Sequence, residues 1–225
     1  MQAPLVSCIL PTRNRVGLIG IAISSFLSQT YPHKELIILD NGDDGTGLVI
    51  PSDPSIRYVK ISGDLTTGDM RNKCCRMAQG EFIAHFDSDD WSAPTRLETQ
   101  MRAMVDKTGV LTGYYNMLFF DPRDQRCFIW SMSTTKFALG TSLLYRKDWW
   151  KDHPFASLTV GEDYQFFNQA LREQGSLVFT EDVAQQMVAL IHAGQTSPKT
   201  TESATYRKIR LEEMPKEFFA VQYHQ

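Results

Sequence analysis

The chain has only four cysteines in 225 residues, none in a C-x-x-C spacing, which leaves little material for a zinc site or a disulfide framework. Cys8 falls in an apolar strand candidate, and Cys74 and Cys75 fall in a helix candidate, where adjacent side chains diverge. These three and Cys127 therefore read as reduced, mostly buried thiols. No run approaches the roughly 18 apolar residues that cross a bilayer, and Met1-Gln2-Ala3-Pro4 lacks a basic segment followed by an apolar stretch. The expectation is a soluble, cytoplasmic chain without integral membrane association. A net charge of −3 and a pI of about 6.0 offer no electrostatic case for a general nucleic-acid or anionic-membrane binder. Glycine-rich phosphate loops are also missing. No G-x-G-x-x-G follows a strand and no G-x-x-x-x-G-K-[ST] occurs, which argues against a dinucleotide-dependent dehydrogenase and a P-loop NTPase. There is no internal repeat, low-complexity tract or interdomain linker, so one domain is expected over residues 1–225.

What stands out is Phe86-Asp87-Ser88-Asp89-Asp90-Trp91, three carboxylates within four positions, directly after the apolar run Glu81 to Phe86. Such a run reads as a buried strand, so the acids sit at its C-terminal end, where open α/β sheets bind ligands. Clustered carboxylates repel one another, and a divalent cation such as Mg²⁺ or Mn²⁺ relieves that repulsion. A solvated Asp-rich turn has the same composition, and the motif alone does not separate the two.

Elements alternate along the chain. Leu5 to Leu10 reads as a strand stopped by Pro11, and a helix is expected from about Val16 to Gln29. Leu36 to Leu39 is too short for a helix, and Ile56 to Ile61 gives a third strand. A helix over Gly68 to Ala78 leads into the Glu81–Phe86 strand. This β-α-β-β-α-β order with nearly continuous apolar strands predicts an α/β fold, Rossmann-like, with a mostly parallel central sheet and helices on both faces. Beyond it, a helix from Pro94 to Val105 capped by Ser92, a hairpin over Val110 to Met132, a strand over Thr141 to Tyr145 and a short helix at Asp148 to Lys151 are expected. A helix from Glu162 to Glu173 ended by Gly175, a last strand over Gln186 to Ile191, a polar, mobile stretch from Gly194 to Ala204 and a helical tail from Tyr206 complete the pattern.

Polar groups stand at several expected strand ends: Pro11-Thr12-Arg13-Asn14-Arg15, Asp40-Asn41 and Asp87 to Asp90. The ends of parallel strands share one sheet edge, so these groups should converge on one cleft. Gly161-Glu162-Asp163 opens the helix whose inward stripe is expected to be Phe166, Phe167, Ala170 and Leu171, and Asp163 shares that side. Both acids also suit a helix N-terminus through the dipole alone. His192, after the run Val188 to Ile191, is either a structural hydrogen-bonder or a ligand completing a carboxylate metal site. His85, inside a strand, and His33, in a loop, receive no role. Trp149 and Trp150 read as packing residues, with a sugar platform as the alternative.

Together these residues closely resemble the family 2 glycosyltransferases, which have the GT-A fold. The matching stretches are Val6 to Arg15, Ser25 to Tyr31, Glu35 to Gly42, Met70 to Asn72, Gly80 to Ile83, Phe86 to Asp90, Gly140 to Ser142 and Gly161 to Asp163, in family order. The resemblance implies a nucleotide-diphosphate sugar donor, UDP-linked by expectation, Mn²⁺ or Mg²⁺, and inversion by direct displacement. It also implies a nucleotide-sugar-binding half over about residues 1–92, an acceptor and catalytic half over about 93–195, and a tail over 196–225. Pro11, Thr12, Arg13, Asp40, Asn41 and Arg71 would line the nucleotide pocket together with Asp87 and Ser88. Asp87, Asp89 and Asp90 would form the D-x-D region that holds ribose and metal, and His192 resembles a downstream metal-binding histidine. Asp163 matches the catalytic base, with Glu162 beside it. Many relatives carry Asp where this chain has Asn41, at a position that meets the base. Members of the family modify glycans, lipids, proteins and other molecules, so the resemblance leaves a glycan, lipid-linked or protein acceptor open, and a modified nucleobase as well. The missing membrane helices weigh against a processive polysaccharide synthase or an enzyme acting on an embedded polyprenol carrier. A nucleotidyltransferase of similar fold normally begins with a Gly-rich loop, which Pro11 to Gly17 is not. An inactive nucleotide-sugar sensor would not need the intact acids.

Overall fold

The computed structural model describes residues 3–105, 109–131, 138–173, 177–179, 184–196 and 201–222. Gly175, Met132 and part of the polar stretch after Gly194 lie outside them, so those expectations have no structural counterpart. In chain order the elements are β1 (Val6–Thr12), α1 (Ile19–Leu27), β2 (Lys34–Asp40), β3 (Ile56–Lys60), α2 (Thr67–Met77), β4 (Phe82–His85), β5 (Asp90–Ser92) and α3 (Arg96–Val105). They continue with β6 (Leu111–Gly113), β7 (Asn116–Asp121), β8 (Arg126–Ser131), β9 (Leu144–Arg146), α4 (Lys147–Asp152) and α5 (Glu162–Arg172). The last are β10 (Leu177–Phe179), β11 (Met187–Leu190), β12 (Tyr206–Ile209) and α6 (Lys216–Gln222).

The main sheet runs β10-β6-β9-β4-β1-β2-β3 and is parallel except for β9, which is antiparallel to both β4 and β6. Alternation along β1 explains why both faces are covered. Val6, Cys8 and Leu10 pack with Ile23 and Phe26 of α1 and Leu97 and Met101 of α3. Ile9, on the other side, packs with Met70 and Cys74 of α2 and Phe166 of α5. The expected α/β fold with a mostly parallel central sheet and helices on both faces is the observed one.

A second sheet, β12-β8-β7-β11-β5, has no counterpart in the sequence reading. Its hairpin β7–β8 is where the aromatic run predicts one, but Leu111–Gly113, assigned to that hairpin, belongs to the main sheet. The expected helical tail is strand at its start and helix only at α6: in β12, Tyr206 pairs opposite Trp130 and packs edge-on against Phe119, while Ile209 is buried on the other face. β12 also follows β11, which is therefore not the last strand.

Pro11 does not end β1. The pairing of β1 with β4 stops at Ile9 opposite His85, and the Ile9 carbonyl accepts from Phe86 on that side. Pro11, two residues on, faces the same vacated side, so its missing N–H costs no ladder bond. Ser92 is not a cap for α3 but part of β5, its hydroxyl accepting from Arg96 at 3.0 Å. Thr141 lies in a 3-10 turn, Gly140–Ser142, and the strand begins only at Leu144. Leu171 is exposed, leaving Phe166, Phe167 and Ala170 as the apolar stripe of α5. Trp149 and Trp150 are buried in the core, with Trp150 donating to Asn72 at 3.0 Å, so they serve packing. The four cysteines are free and buried, and burial pushes the Cys8 and Cys75 thiols up to about 12.

Candidate active site

A cleft of about 490 Å³ opens at the C-terminal edge of the main sheet. One wall carries Pro11, Thr12 and Arg13 from the end of β1, the floor carries Arg71 and the Asp87–Asp90 motif, and the far wall carries Gly140, Glu162 and Asp163. The expected convergence of strand-end groups is thus largely realised. Asp40 and Asn41 are at the neighbouring end of β2 but do not line the cleft. The Asp40 carboxylate is fully buried and accepts from Tyr58 at 2.8 Å, Lys60 at 3.0 Å and the Gly42 amide at 2.7 Å. The Asn41 amide donates to the Gly63 carbonyl at 3.1 Å. Thr12 is buried, and its hydroxyl has no hydrogen-bond partner among the described residues. A buried, unsatisfied hydroxyl at a cleft wall is a position where a ligand's polar group gains a bond at little cost.

The three acids of the motif have different surroundings. Asp87 accepts from the Arg71 guanidinium at 3.2 Å. Asp89 meets His192 Nε2 at 2.8 Å. Asp90 and Ser88 are buried, and Asp90 begins β5. The meeting of Asp89 and His192 follows from register. β11 runs antiparallel to β5 with Ala189 opposite Asp90, so the chain leaving β11 passes beside the residue that precedes Asp90. His192 itself is not among the cleft-lining residues, although Asp89 is.

Whether these groups suit a divalent cation depends on their donor set. Among the described residues no three His, Cys, Asp or Glu side chains gather as a metal-binding cluster. Asp89 and His192 nevertheless supply a carboxylate oxygen and an imidazole nitrogen within 2.8 Å of each other. Mg²⁺-type sites commonly use one or two protein ligands and complete their shell with water and substrate phosphate, and imidazole broadens the choice toward Mn²⁺. The pair fits that chemistry. Asp87, committed to Arg71, fits it less well.

Arg71 is the hub of the floor. Its Nε donates to Glu162 at 3.2 Å, its Nη2 to Asp87 at 3.2 Å, and its Nη1 lies 2.8 Å from His85 Nδ1. Burial alone would lower its pKa, but Asp87, Glu162 and Asp163 outweigh that and raise it, so the guanidinium stays charged. The buried Glu162 carboxyl is raised, chiefly by desolvation, with Arg71 opposing the shift. The Arg71–Glu162 bond ties α2 to the first turn of α5. The capping box of Thr66 with Asp69 fixes where α2 begins and hence where Arg71 points.

Asp163 projects from the same first turn, which Gly161 opens with a left-handed φ of 86°. One of its oxygens accepts from the Tyr164 amide at 2.8 Å. The other rests against Gly140 so closely that a Cβ there would stand 1.9 Å from it. The pairing of Gly140 with Asp163, the buried Arg96 that donates to the Thr141 carbonyl at 3.1 Å, and the unpartnered Thr141 hydroxyl were not recognised as site features from the sequence. For Gly140 and Thr141 the signal was the match of Gly140 to Ser142 to the family, and for Arg96 it was a charged residue on the buried side of α3.

The fold and cleft define a GT-A glycosyltransferase. Residues 1–349 of TarS from S. aureus in complex with UDP-GlcNAc superpose with a TM-score of 0.69 at 17% identity, over 96% of this chain and 64% of that one. The Pyrobaculum calidifontis mannosyltransferase PcManGT, in complex with GDP-Man and Mn²⁺, gives 0.63 at 20% identity, over 84% of this chain and 57% of that one. The chain belongs to glycosyl transferase family 2, whose model matches residues 7–155. It is 35% identical over 118 residues to TuaG of Bacillus subtilis (strain 168), 49% of this chain and 47% of that one. It is 32% identical over 122 residues to the Escherichia coli UDP-Glc:alpha-D-GlcNAc-diphosphoundecaprenol beta-1,3-glucosyltransferase WfgD, 52% of this chain and 48% of that one. The chain thus spans about half the length of these two curated relatives. No described helix is long and apolar enough to cross a membrane.

Proposed function

We propose that this glycosyltransferase moves a sugar from a UDP-linked donor to an acceptor hydroxyl in one inverting displacement, with Asp163 as general base. The observation that carries this reading is that Asp163 and the Asp87–Asp90 motif line one and the same cleft. A sugar hydroxyl is a poor nucleophile at neutral pH, and a carboxylate held by a backbone amide and a glycine Cα can take its proton as the new C–O bond forms. Glu162 cannot share that role while it is engaged by Arg71, so it positions the helix turn instead. Thr12, Arg13 and Ser88 bind the donor's nucleotide, and Asp40 and Asn41 hold the loop behind it. Arg71 holds Asp87 still beside the diphosphate. Asp89 and His192 would hold Mn²⁺ or Mg²⁺, which when bound supplies charge that offsets the departing diphosphate. Donor binding falls to about residues 1–92, and acceptor binding and the base to about residues 93–195.

UDP and UDP-GlcNAc in complexes of TarS support a uridine donor, and the Mn²⁺ in PcManGT supports a cation, each by analogy of fold. The acceptor named for WfgD supports a lipid-linked glycan, against the weight that the sequence placed on the missing membrane helices.

Isothermal titration with UDP tests the donor site. Binding is expected to be weak in EDTA and tighter with Mn²⁺, because the Asp87–Asp90 carboxylates otherwise meet a diphosphate of the same sign. Asp89→Ala should erase the difference. Equal affinity with and without the ion would remove the metal from the account. Release of sugar from UDP-glucose without acceptor separates a transferase from a nucleotidyltransferase or an inactive binder, neither of which frees the sugar.

A further inference from the structure

The mechanism above makes no use of His85, a fully buried histidine at the end of β4, two residues before Asp87. A core histidine that only filled space would need one hydrogen-bond partner for each ring nitrogen, whereas this one has three neighbours. Its Nδ1 stands 2.7 Å from the Gly140 carbonyl and 2.8 Å from Arg71 Nη1, and its Nε2 stands 3.2 Å from the Tyr145 hydroxyl. Phe155 and Tyr145 pack against the ring and fix its plane. Burial, reinforced by the Arg71 charge, keeps the imidazole neutral, so a single proton is shared between two nitrogens. With that proton on Nδ1 the ring donates to Gly140, and with it on Nε2 the ring accepts from Arg71.

Both Nδ1 neighbours lead to the base. Gly140 is the surface on which the Asp163 carboxylate rests, and Arg71 grips Glu162, the residue before Asp163. We propose that His85 is a positioning residue for sugar transfer, its Nδ1–H donating to the Gly140 carbonyl and so holding that turn in the place that aims the Asp163 carboxylate into the cleft. His85 does not line the cleft and touches no substrate; it acts through Gly140. This inference rests on the assignment of Asp163 as base.

The test uses His85→Leu, His85→Asn and His85→Gln, with Asp163→Asn as control. An Asn amide lies near the place of Nδ1 and a Gln amide near that of Nε2, so only Asn restores the proposed contact. Two measurements are made: sugar release from saturating UDP-glucose with Mn²⁺, and amide hydrogen exchange of the Gly140–Ser142 turn. His85→Leu is expected to lower kcat about tenfold to hundredfold, with UDP affinity kept within about twofold, and to speed exchange in the turn. His85→Asn should recover most of both, and His85→Gln little. Wild-type kcat and exchange in His85→Leu would overturn the proposal, and so would equal impairment of all three variants together with lost UDP binding. If Asp163→Asn keeps the wild-type rate, the base assignment has failed. The exchange measurement still decides whether His85 holds the turn.

Discussion

Asp163→Asn is expected to bind UDP as the wild type does and to transfer sugar about two to four orders of magnitude more slowly. The substitution keeps the size of the side chain and its acceptor for the Tyr164 amide at 2.8 Å, so the first turn of α5 should not move. Only the ability to take a proton is lost. Glu162→Gln separates proximity from chemistry, because the amide oxygen still accepts from Arg71 Nε, now at 3.2 Å, while the charge is gone. It should lose less. Initial rates under conditions where chemistry limits turnover, with UDP affinity measured in parallel, check both variants. Near wild-type transfer by Asp163→Asn would leave positioning and the metal pair as the only sources of catalysis.

Gly140→Ala should be nearly as damaging without touching a charged group. Its Cβ would stand 1.9 Å from Asp163 Oδ2 and 2.7 Å from Asp163 Cβ, distances at which something must move. Gly140 is held through its carbonyl by His85, and Asp163 lines the cleft, so the carboxylate is the group that yields. A displacement of about 1 Å from a reactive alignment costs on the order of a hundredfold in rate. The expected result is a fall of that size in kcat with donor affinity kept. A double-mutant cycle gives the sharper check: in an Asp163→Asn background the same alanine should cost little more, because the misplaced group no longer acts. Additive losses would show that Gly140 serves something other than Asp163.

The parts of this architecture that were legible in the sequence share a physical cause. The runs in β1, β2 and β4 are nearly continuous and apolar because each strand is buried on both faces, and that pattern needs no knowledge of partners. The Asp87–Asp90 motif and the Glu162–Asp163 pair were visible because they interrupt or open such elements. The second sheet was not, since β5 has three residues and β11 four, too few to show a period, and the burial along β12 does not alternate. Pro11 was misread because whether a proline ends a strand depends on which side is vacant, a fact of sheet order. The contacts that arrange the site were out of reach for the same reason: Arg71 and Glu162 are 91 positions apart, and Asp89 and His192 are 103 apart. Residue types pointed to a carboxylate–histidine pair. Only the antiparallel register of β5 and β11 brought it together.

The most direct test of a single displacement driven by Asp163 is the configuration of the sugar first released. UDP-glucose carries its sugar in the α configuration, so attack by water on the face opposite the diphosphate must give β-glucose. Proton NMR of the anomeric region, recorded with Mn²⁺ and without acceptor before mutarotation advances, is predicted to show the β signal rising first. It should stay absent in Asp163→Asn over the same interval. An α signal that appears first would contradict direct displacement and the role assigned to Asp163.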